Sequence, residues 1–201
     1  LPTVALINAL PAATVLAETR SEPLSEIMRD MLKYSTNMTA EAVGLTASGA
    51  SGLRASAAQM SAWALAKHGI ASSFVDHSGL GGDNRISALA MAQTLLAARG
   101  GVLPGLLKEQ GIRDASGKEI KGHPTRVVAK TGTLNFVSGL AGYIRPQSGR
   151  ELTFAIFSAD TRRRDSLSMA ERENPPGGQQ WTRRARNMQA QLVSRWAGSF
   201  V

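Results

Sequence analysis

The order of its patterns predicts an α/β fold in which one antiparallel sheet is flanked by helices. Four helical patterns fall between residues 21 and 99, a cluster of β-branched runs follows Pro124, and a final helical pattern occupies 179–197. Helices, then strands, then a helix is the order expected of one sheet covered by helices. At 201 residues and 43% hydrophobic content, the chain is long enough for one domain with a sizeable core and short for two.

The first helix is read from Ser21, which caps it with Pro23 in its first turn, after which Leu24, Ile27, Met28, Met31 and Leu32 fall on one face. The pattern breaks around Tyr34 to Asn37 and resumes from Thr39 to Val43, with Gly44 as its stop. Ser56 and Gln59 have capping-box spacing and open a third helix through Met60, Trp63, Ala64 and Lys67 to Gly69. A fourth runs from about Ser87 to Arg99 and ends at Gly100 and Gly101. Arg126 to Lys130, Ser138 to Arg145 and Glu151 to Ser158 are the strands, and turn chemistry from Pro146 to Gly149 makes the last two an antiparallel hairpin. Pro175, Pro176, Gly177 and Gly178 then break the chain before a terminal helix, Gln179 to Ala197, with Trp181, Ala185, Met188, Leu192 and Trp196 among its apolar positions.

Composition removes several function classes. The apolar stretch Leu1 to Leu16 is interrupted by Pro2, Asn8 and Pro11 and falls short of the roughly 20 residues a bilayer span needs. It lacks a basic leading segment and an initiator methionine, so it does not read as an intact secretory signal, and the start is expected to be an internal cut. With no cysteine, disulfides, thiolate metal sites and cysteine nucleophiles are excluded together. His68, His77 and His123 offer no pair at helical ligand spacing, so no dedicated transition-metal site is expected. Asp76, His77 and Ser78 are neighbours, whereas a catalytic triad needs three converging side chains, so the trio reads as coincidence. Glu171 and Glu173 sit in a polar loop and read as solvated.

The net charge of +8 raises a basic binding module as the alternative from another class. Its carriers are Arg162, Arg163 and Arg164, then Arg183, Arg184, Arg186 and Arg195 in the terminal helix. Sparse aromatic interleaving makes these a solvated loop and a solvated helix face, and no nucleic-acid partner is expected.

Two motifs carry chemistry. Ser35-Thr36-Asn37 falls at the break between two helices, and Lys130-Thr131-Gly132-Thr133 at the end of an apolar strand. Either motif alone is a weak signal. Together, in order and in those settings, they match two of the three signature elements of penicillin-recognising serine enzymes, Ser-x-Asn and Lys-Thr-Gly.

The flanking residues narrow the match. Pro23-Leu24 through Met31-Leu32-Lys33-Tyr34 to Ala40-Glu41, Asp76-His77-Ser78-Gly79-Leu80 with Asn84-Arg85-Ile86-Ser87, and Ala129 to Leu134 through Ser138-Gly139-Leu140-Ala141-Gly142-Tyr143 span nearly the whole chain. They resemble the D-Ala-D-Ala carboxypeptidase/endopeptidase family of low-molecular-mass penicillin-binding proteins, peptidase family S13. His77 stands where that family's Asp-Gly-Ser-Gly-Leu pattern has a small residue, which leaves the turn a structural role.

The resemblance implies a transpeptidase/β-lactamase-like fold and a periplasmic or extracytoplasmic serine hydrolase acting on peptidoglycan stem peptides that end in D-Ala-D-Ala. β-Lactam antibiotics would be acylating inhibitors, and no cofactor or metal is implied. Lys130, Thr131, Gly132 and Thr133 would hold the substrate carboxylate, with the Thr133 N–H facing the oxyanion. Ser35 would relay a proton to the leaving amine and Asn37 would hold the substrate amide. A β-lactamase or an esterase on the same fold is the nearest alternative.

The family's third element is Ser-x-x-Lys, which supplies nucleophile and base. The residues three before Lys33, Lys67, Lys108, Lys118, Lys121 and Lys130 are Asp30, Ala64, Gly105, Ala115, Lys118 and Val127, so the element is absent. In the family it lies toward the N-terminus. Residues 1–201 are therefore expected to be the C-terminal portion of a single penicillin-binding domain, inactive alone, with a sheet left incomplete on its N-terminal side.

Overall fold

A computed structural model describes residues 14–114, 116–147, 149–168, 170–172 and 174–199. Residues 1–13 of the leading apolar stretch and Glu173 lie outside them. Among the described residues no helix is long and apolar enough to cross a membrane.

Helices α1 (Leu24–Tyr34) and α2 (Asn37–Ser48) are separated by Ser35 and Thr36 alone. Pro23, not Ser21, holds the N-cap position of α1, and no side chain caps it. Helix α2 does not stop at Gly44 but runs on to Gly49, which takes the left-handed conformation at φ 66°. Gly44 serves a neighbour instead: a Cβ there would lie 2.3 Å from the His77 ring.

Helix α3 (Leu53–His68) starts after Gly52, one turn earlier than the Ser56 capping box predicts. Ser56 lies inside the helix and is fully buried. Its hydroxyl meets Ser48 Oγ at 2.7 Å, the Gly44 carbonyl at 3.1 Å and His77 Nε2 at 2.7 Å, binding α2, α3 and the 76–80 turn together. Two short strands, β1 (Ser72–Ser73) and β2 (Arg85–Ile86), pair on either side of that turn. Helix α4 (Ala88–Ala98) is capped as expected, the Ser87 hydroxyl accepting the Ala90 N–H at 3.0 Å. Helix α5 (Leu103–Leu106) and strand β3 (Lys108–Gln110) follow.

The main sheet joins β3 to β4 (Arg126–Leu134), β5 (Val137–Arg145) and β6 (Leu152–Ala159) in the order β3-β4-β5-β6, all antiparallel. The fold is the α/β arrangement expected, an antiparallel sheet flanked by helices. Helix α6 (Thr161–Asp165) and helix α7 (Gly178–Ser199) complete the chain. One face of the sheet packs Val128, Ala141 and Tyr143 against Leu95 of α4, and the buried Tyr143 hydroxyl donates to the Leu95 carbonyl at 2.7 Å. The other packs Val127, Ala129, Leu140, Ile144, Phe154 and Ile156 against Val193 and Ala197 of α7. Covered on both faces, β5 is buried along most of its length, which is why Leu140 to Ile144 read as a nearly unbroken apolar run.

The buried stripe of α7 is Ala185, Gln189, Val193 and Ala197, with Leu192 and Trp196 alongside. Met188, counted among the apolar positions, is 42% exposed. Gln189 takes its place in the core because its amide donates to the buried Ser138 hydroxyl of β5 at 3.1 Å. The arginine triplet is not a free solvated loop either. Arg163 stacks over Phe136 at 4.3 Å and donates to the Pro176 carbonyl, while Arg164 donates to the Asn135 carbonyl.

Candidate active site

Strand β4 leaves the core at the second motif. Val127, Val128 and Ala129 are buried, Lys130 is half-buried, and Thr131, Gly132 and Thr133 are exposed. Strand β3 pairs with β4 only as far as Ala129, opposite Lys108. Beyond it, the edge of residues 130–134 that faces away from β5 carries no strand among the described residues. The Lys-Thr-Gly triplet thus lies within a strand, not at its end, on a stretch whose outer backbone groups are open.

The first motif reaches the same place from the helical side. Ser35 adopts the left-handed conformation at φ 57° and ψ 50°, which costs a non-glycine residue of order 1 kcal/mol. The turn is held by the Ser35 and Thr36 N–H groups, both donating to the Met31 carbonyl, the latter at 3.3 Å. Its result is to aim the Ser35 hydroxyl at β4. Lys130 Nζ donates to Ser35 Oγ at 2.5 Å and to the Thr131 carbonyl at 2.6 Å. Asn37, the first residue of α2, stands beside them, so the positive end of a 12-residue helix faces the same space.

That space is a cleft of about 620 Å3 lined by Ser35, Thr36 and Asn37, by Lys130 to Leu134, and by Ser78, Gly79 and Leu80 of the 76–80 turn. All six residues singled out in the sequence, Ser35, Asn37, Lys130, Thr131, Gly132 and Thr133, are brought together in it. Burial pushes the Lys130 amine below its ordinary value, because desolvation disfavours the charged form.

The Asp76, His77 and Ser78 trio does not converge. The Asp76 carboxylate accepts the Gly79 and Gly81 N–H groups at 2.8 and 2.5 Å and the Asn84 amide at 2.9 Å, so it shapes the turn. The His77 ring meets Ser56 instead, its Nε2 lying 2.7 Å from Ser56 Oγ. Glu41, one turn after Asn37, accepts the backbone N–H groups of His77 and Ser78 at about 3 Å. Burial opposes ionisation of Glu41, but its hydrogen bonds from Ser78 and His77 outweigh that and hold its carboxyl below the usual range. Glu41 thereby clamps the turn against α2, a role that no sequence spacing announced.

Arg186 is the second residue missed. Grouped by sequence with a solvated helix face, it lines the cleft, and its Nη2 donates to Thr133 Oγ1 at 3.1 Å. Among the described residues no cluster of His, Cys, Asp and Glu is arranged to hold a metal ion.

Comparison with known proteins agrees with this architecture. The D-Ala-D-Ala carboxypeptidase 3 (S13) family matches residues 2–175. The carboxypeptidase DacB of Mycolicibacterium smegmatis is 32% identical over an alignment covering 75% of this chain and 37% of that protein. The chain therefore spans less than two-fifths of this relative's length. Among solved structures, the predatory endopeptidase Bd0816 of Bdellovibrio bacteriovorus, in complex with immunity protein Bd3460, superposes with a TM-score of 0.58 at 23% identity, covering 89% of this chain and 44% of that one. Penicillin binding protein 4 of Haemophilus influenzae, complexed with a β-lactam, superposes with a TM-score of 0.56 at 22% identity, covering 86% and 42%. These structures share the fold, and the family match extends across both motifs that build the cleft: the chain belongs to the S13 family of D-Ala-D-Ala carboxypeptidases.

Proposed function

We propose that residues 1–201 form the carboxylate-binding and proton-relay side of the active site of a serine D-Ala-D-Ala carboxypeptidase/endopeptidase, within a single penicillin-binding domain whose nucleophile lies outside this chain. The observation that carries the reading is the 2.5 Å contact between Lys130 Nζ and Ser35 Oγ, which joins two motifs 95 residues apart at one point in an open cleft. The missing Ser-x-x-Lys and the share of DacB that this chain covers support an outside source for the nucleophile. The outer edge of β6, unpaired among the described residues, is where further strands of such a domain would add.

In this mechanism the substrate is a peptidoglycan stem peptide ending in D-Ala-D-Ala. Its backbone lies along the open edge of β4 as an added strand. Thr131 and Thr133 hydroxyls hold the terminal carboxylate, Asn37 holds the penultimate amide, and the Thr133 N–H faces the oxyanion. The serine gives its proton to the lysine base that accompanies it in Ser-x-x-Lys as its oxygen forms a bond to the carbonyl carbon between the two D-alanines, and the C=O π pair moves onto the oxyanion. The C–N bond then breaks, and the leaving amine takes its proton through Ser35 and Lys130. Water afterwards cleaves the acyl-enzyme to release the shortened peptide and regenerate the serine. Nothing in these steps requires a metal or organic cofactor. β-Lactams enter as mimics of the same peptide and acylate the same serine, and the substrate places the protein outside the cytoplasm. A nucleic-acid module is disfavoured because Arg163, Arg164 and Arg186 make hydrogen bonds within the chain.

The test is turnover by the intact protein. Release of D-alanine from an N-acylated D-Ala-D-Ala peptide, with penicillin hydrolysed slowly after a single acylation, is the expected result. Rapid multiple turnover of penicillin without D-alanine release would make the protein a β-lactamase instead.

A further inference from the structure

We infer that Arg186 of α7 is a second anchor for the substrate's terminal carboxylate, making the cleft selective for acyl donors that carry a free carboxylate beside the scissile bond. The inference rests on the acyl-transfer reading above and adds to it a residue from outside both motifs.

Three observations meet at this side chain. The first is placement. Thr133 of β4 stands opposite Ser138 of β5, and α7 is tied to both residues by side-chain hydrogen bonds. Gln189 donates to the buried Ser138 hydroxyl at 3.1 Å, and Arg186, three residues earlier on the helix, donates to Thr133 Oγ1 at 3.1 Å. A buried, satisfied glutamine fixes the rotation of α7 about its axis, so the guanidinium is aimed by the core.

The second is charge. The cleft lining contains two cations, Lys130 and Arg186, and no carboxylate among the described residues. Arg186 forms no ion pair with a described acidic residue. A guanidinium with one donor on a neutral hydroxyl keeps several N–H groups for an incoming anion, and its fork matches a carboxylate bidentately. The third is permanence. Arginine stays charged at every relevant pH, so the guanidinium on Thr133 Oγ1 is a fixed positive charge at that end of the cleft.

The experiment uses the intact protein and a β-lactam presented both as the free acid and as its methyl ester. Second-order acylation rates are measured for wild type, Arg186→Ala, Arg186→Lys and Arg184→Gln. Arg184 is exposed, lies on the same helix and does not line the cleft, so its variant matches the charge change. Wild type should favour the free acid, and Arg186→Ala should lower the acid-to-ester ratio by roughly tenfold or more, the scale of a lost charge-assisted hydrogen bond. Arg186→Lys should keep part of the ratio, and Arg184→Gln all of it. An unchanged ratio in Arg186→Ala, or an equal drop in Arg184→Gln, overturns the assignment while leaving acyl transfer standing. Equal slowing of acid and ester would mark Arg186 as structural and also overturns it. Failure of wild type to be acylated at all would bring down the acyl-transfer reading and this inference together.

Discussion

Replacing Gly142 with alanine tests how tightly the sheet holds the strand that carries Lys130. Gly142 of β5 stands opposite Ala129 of β4, the residue before the lysine. A Cβ at 142 would lie 2.1 Å from the Val128 carbonyl oxygen, 2.6 Å from Ala129 Cα and 2.7 Å from Ala129 Cβ. Ordinary contacts of these kinds begin near 3.3–3.5 Å, so each overlap is about 1 Å. The obstacles are mostly backbone, and β4 and β5 are bound along a nine-residue ladder, so neither can rotate away. Relief requires parting strands that ordinarily lie about 4.8 Å apart by roughly 1 Å. That sacrifices about two ladder hydrogen bonds at ~1 kcal/mol each on top of ~2 kcal/mol of overpacking strain. About 4 kcal/mol corresponds to a fall in melting temperature of about 8–16 °C for a cooperative unit of about 150–250 residues, and to proportionately less for a longer one. Thermal unfolding of the intact protein, followed by circular dichroism, reads it. Gly132→Ala is the control, since a Cβ there meets nothing within 4 Å, and it should melt with wild type. A Gly142→Ala protein melting within about 2 °C of wild type would refute the close approach of the two strands.

Two further predictions concern the walls of the cleft. Ser56→Ala removes a fully buried hydroxyl with three partners and leaves His77 Nε2 without one; the expected loss is about 1–3 kcal/mol, seen as a lower denaturant midpoint with unchanged m-value. Lys130→Met should abolish acylation by penicillin yet stabilise the protein near neutral pH. Burial lowers the folded-state pKa of Lys130 below its unfolded value, so the ammonium costs stability in full below the folded pKa, and that cost disappears as pH rises through the window up to the unfolded pKa. The stability difference between Lys130→Met and wild type should therefore shrink as pH is raised into the alkaline range. A difference that grows with pH would contradict the assignment.

Much of this was legible before any coordinates. The hairpin of β5 and β6 was readable because long β-branched runs bounded by turn residues have one plausible pairing. Helix α4 was readable because Ser87 and the Gly100-Gly101 pair mark its ends in chemistry that acts locally. The six residues of the two motifs were readable because each motif is contiguous, even though their meeting depends on Lys130 reaching Ser35 across the fold.

What stayed hidden depends on partners distant in sequence. Gly44 imitates a helix stop, but its reason for being glycine is the His77 ring, 33 positions on. Ser56 imitates an N-cap, but its hydroxyl faces inward to His77. Strand β3, with the sequence Lys-Glu-Gln, has no strand propensity of its own and exists through pairing with β4. Arg186 is indistinguishable by pattern from Arg183 and Arg184, and only the clamp between Gln189 and Ser138 turns it toward Thr133.

The central claim is that this cleft is one side of an acyl-transfer site whose serine comes from elsewhere in the protein. Incubation with a fluorescent penicillin followed by denaturing electrophoresis measures it directly. The intact protein should take up one covalent label, and the isolated 1–201 polypeptide none. Stoichiometric labelling of the isolated polypeptide, or no labelling of the intact protein, would contradict the account.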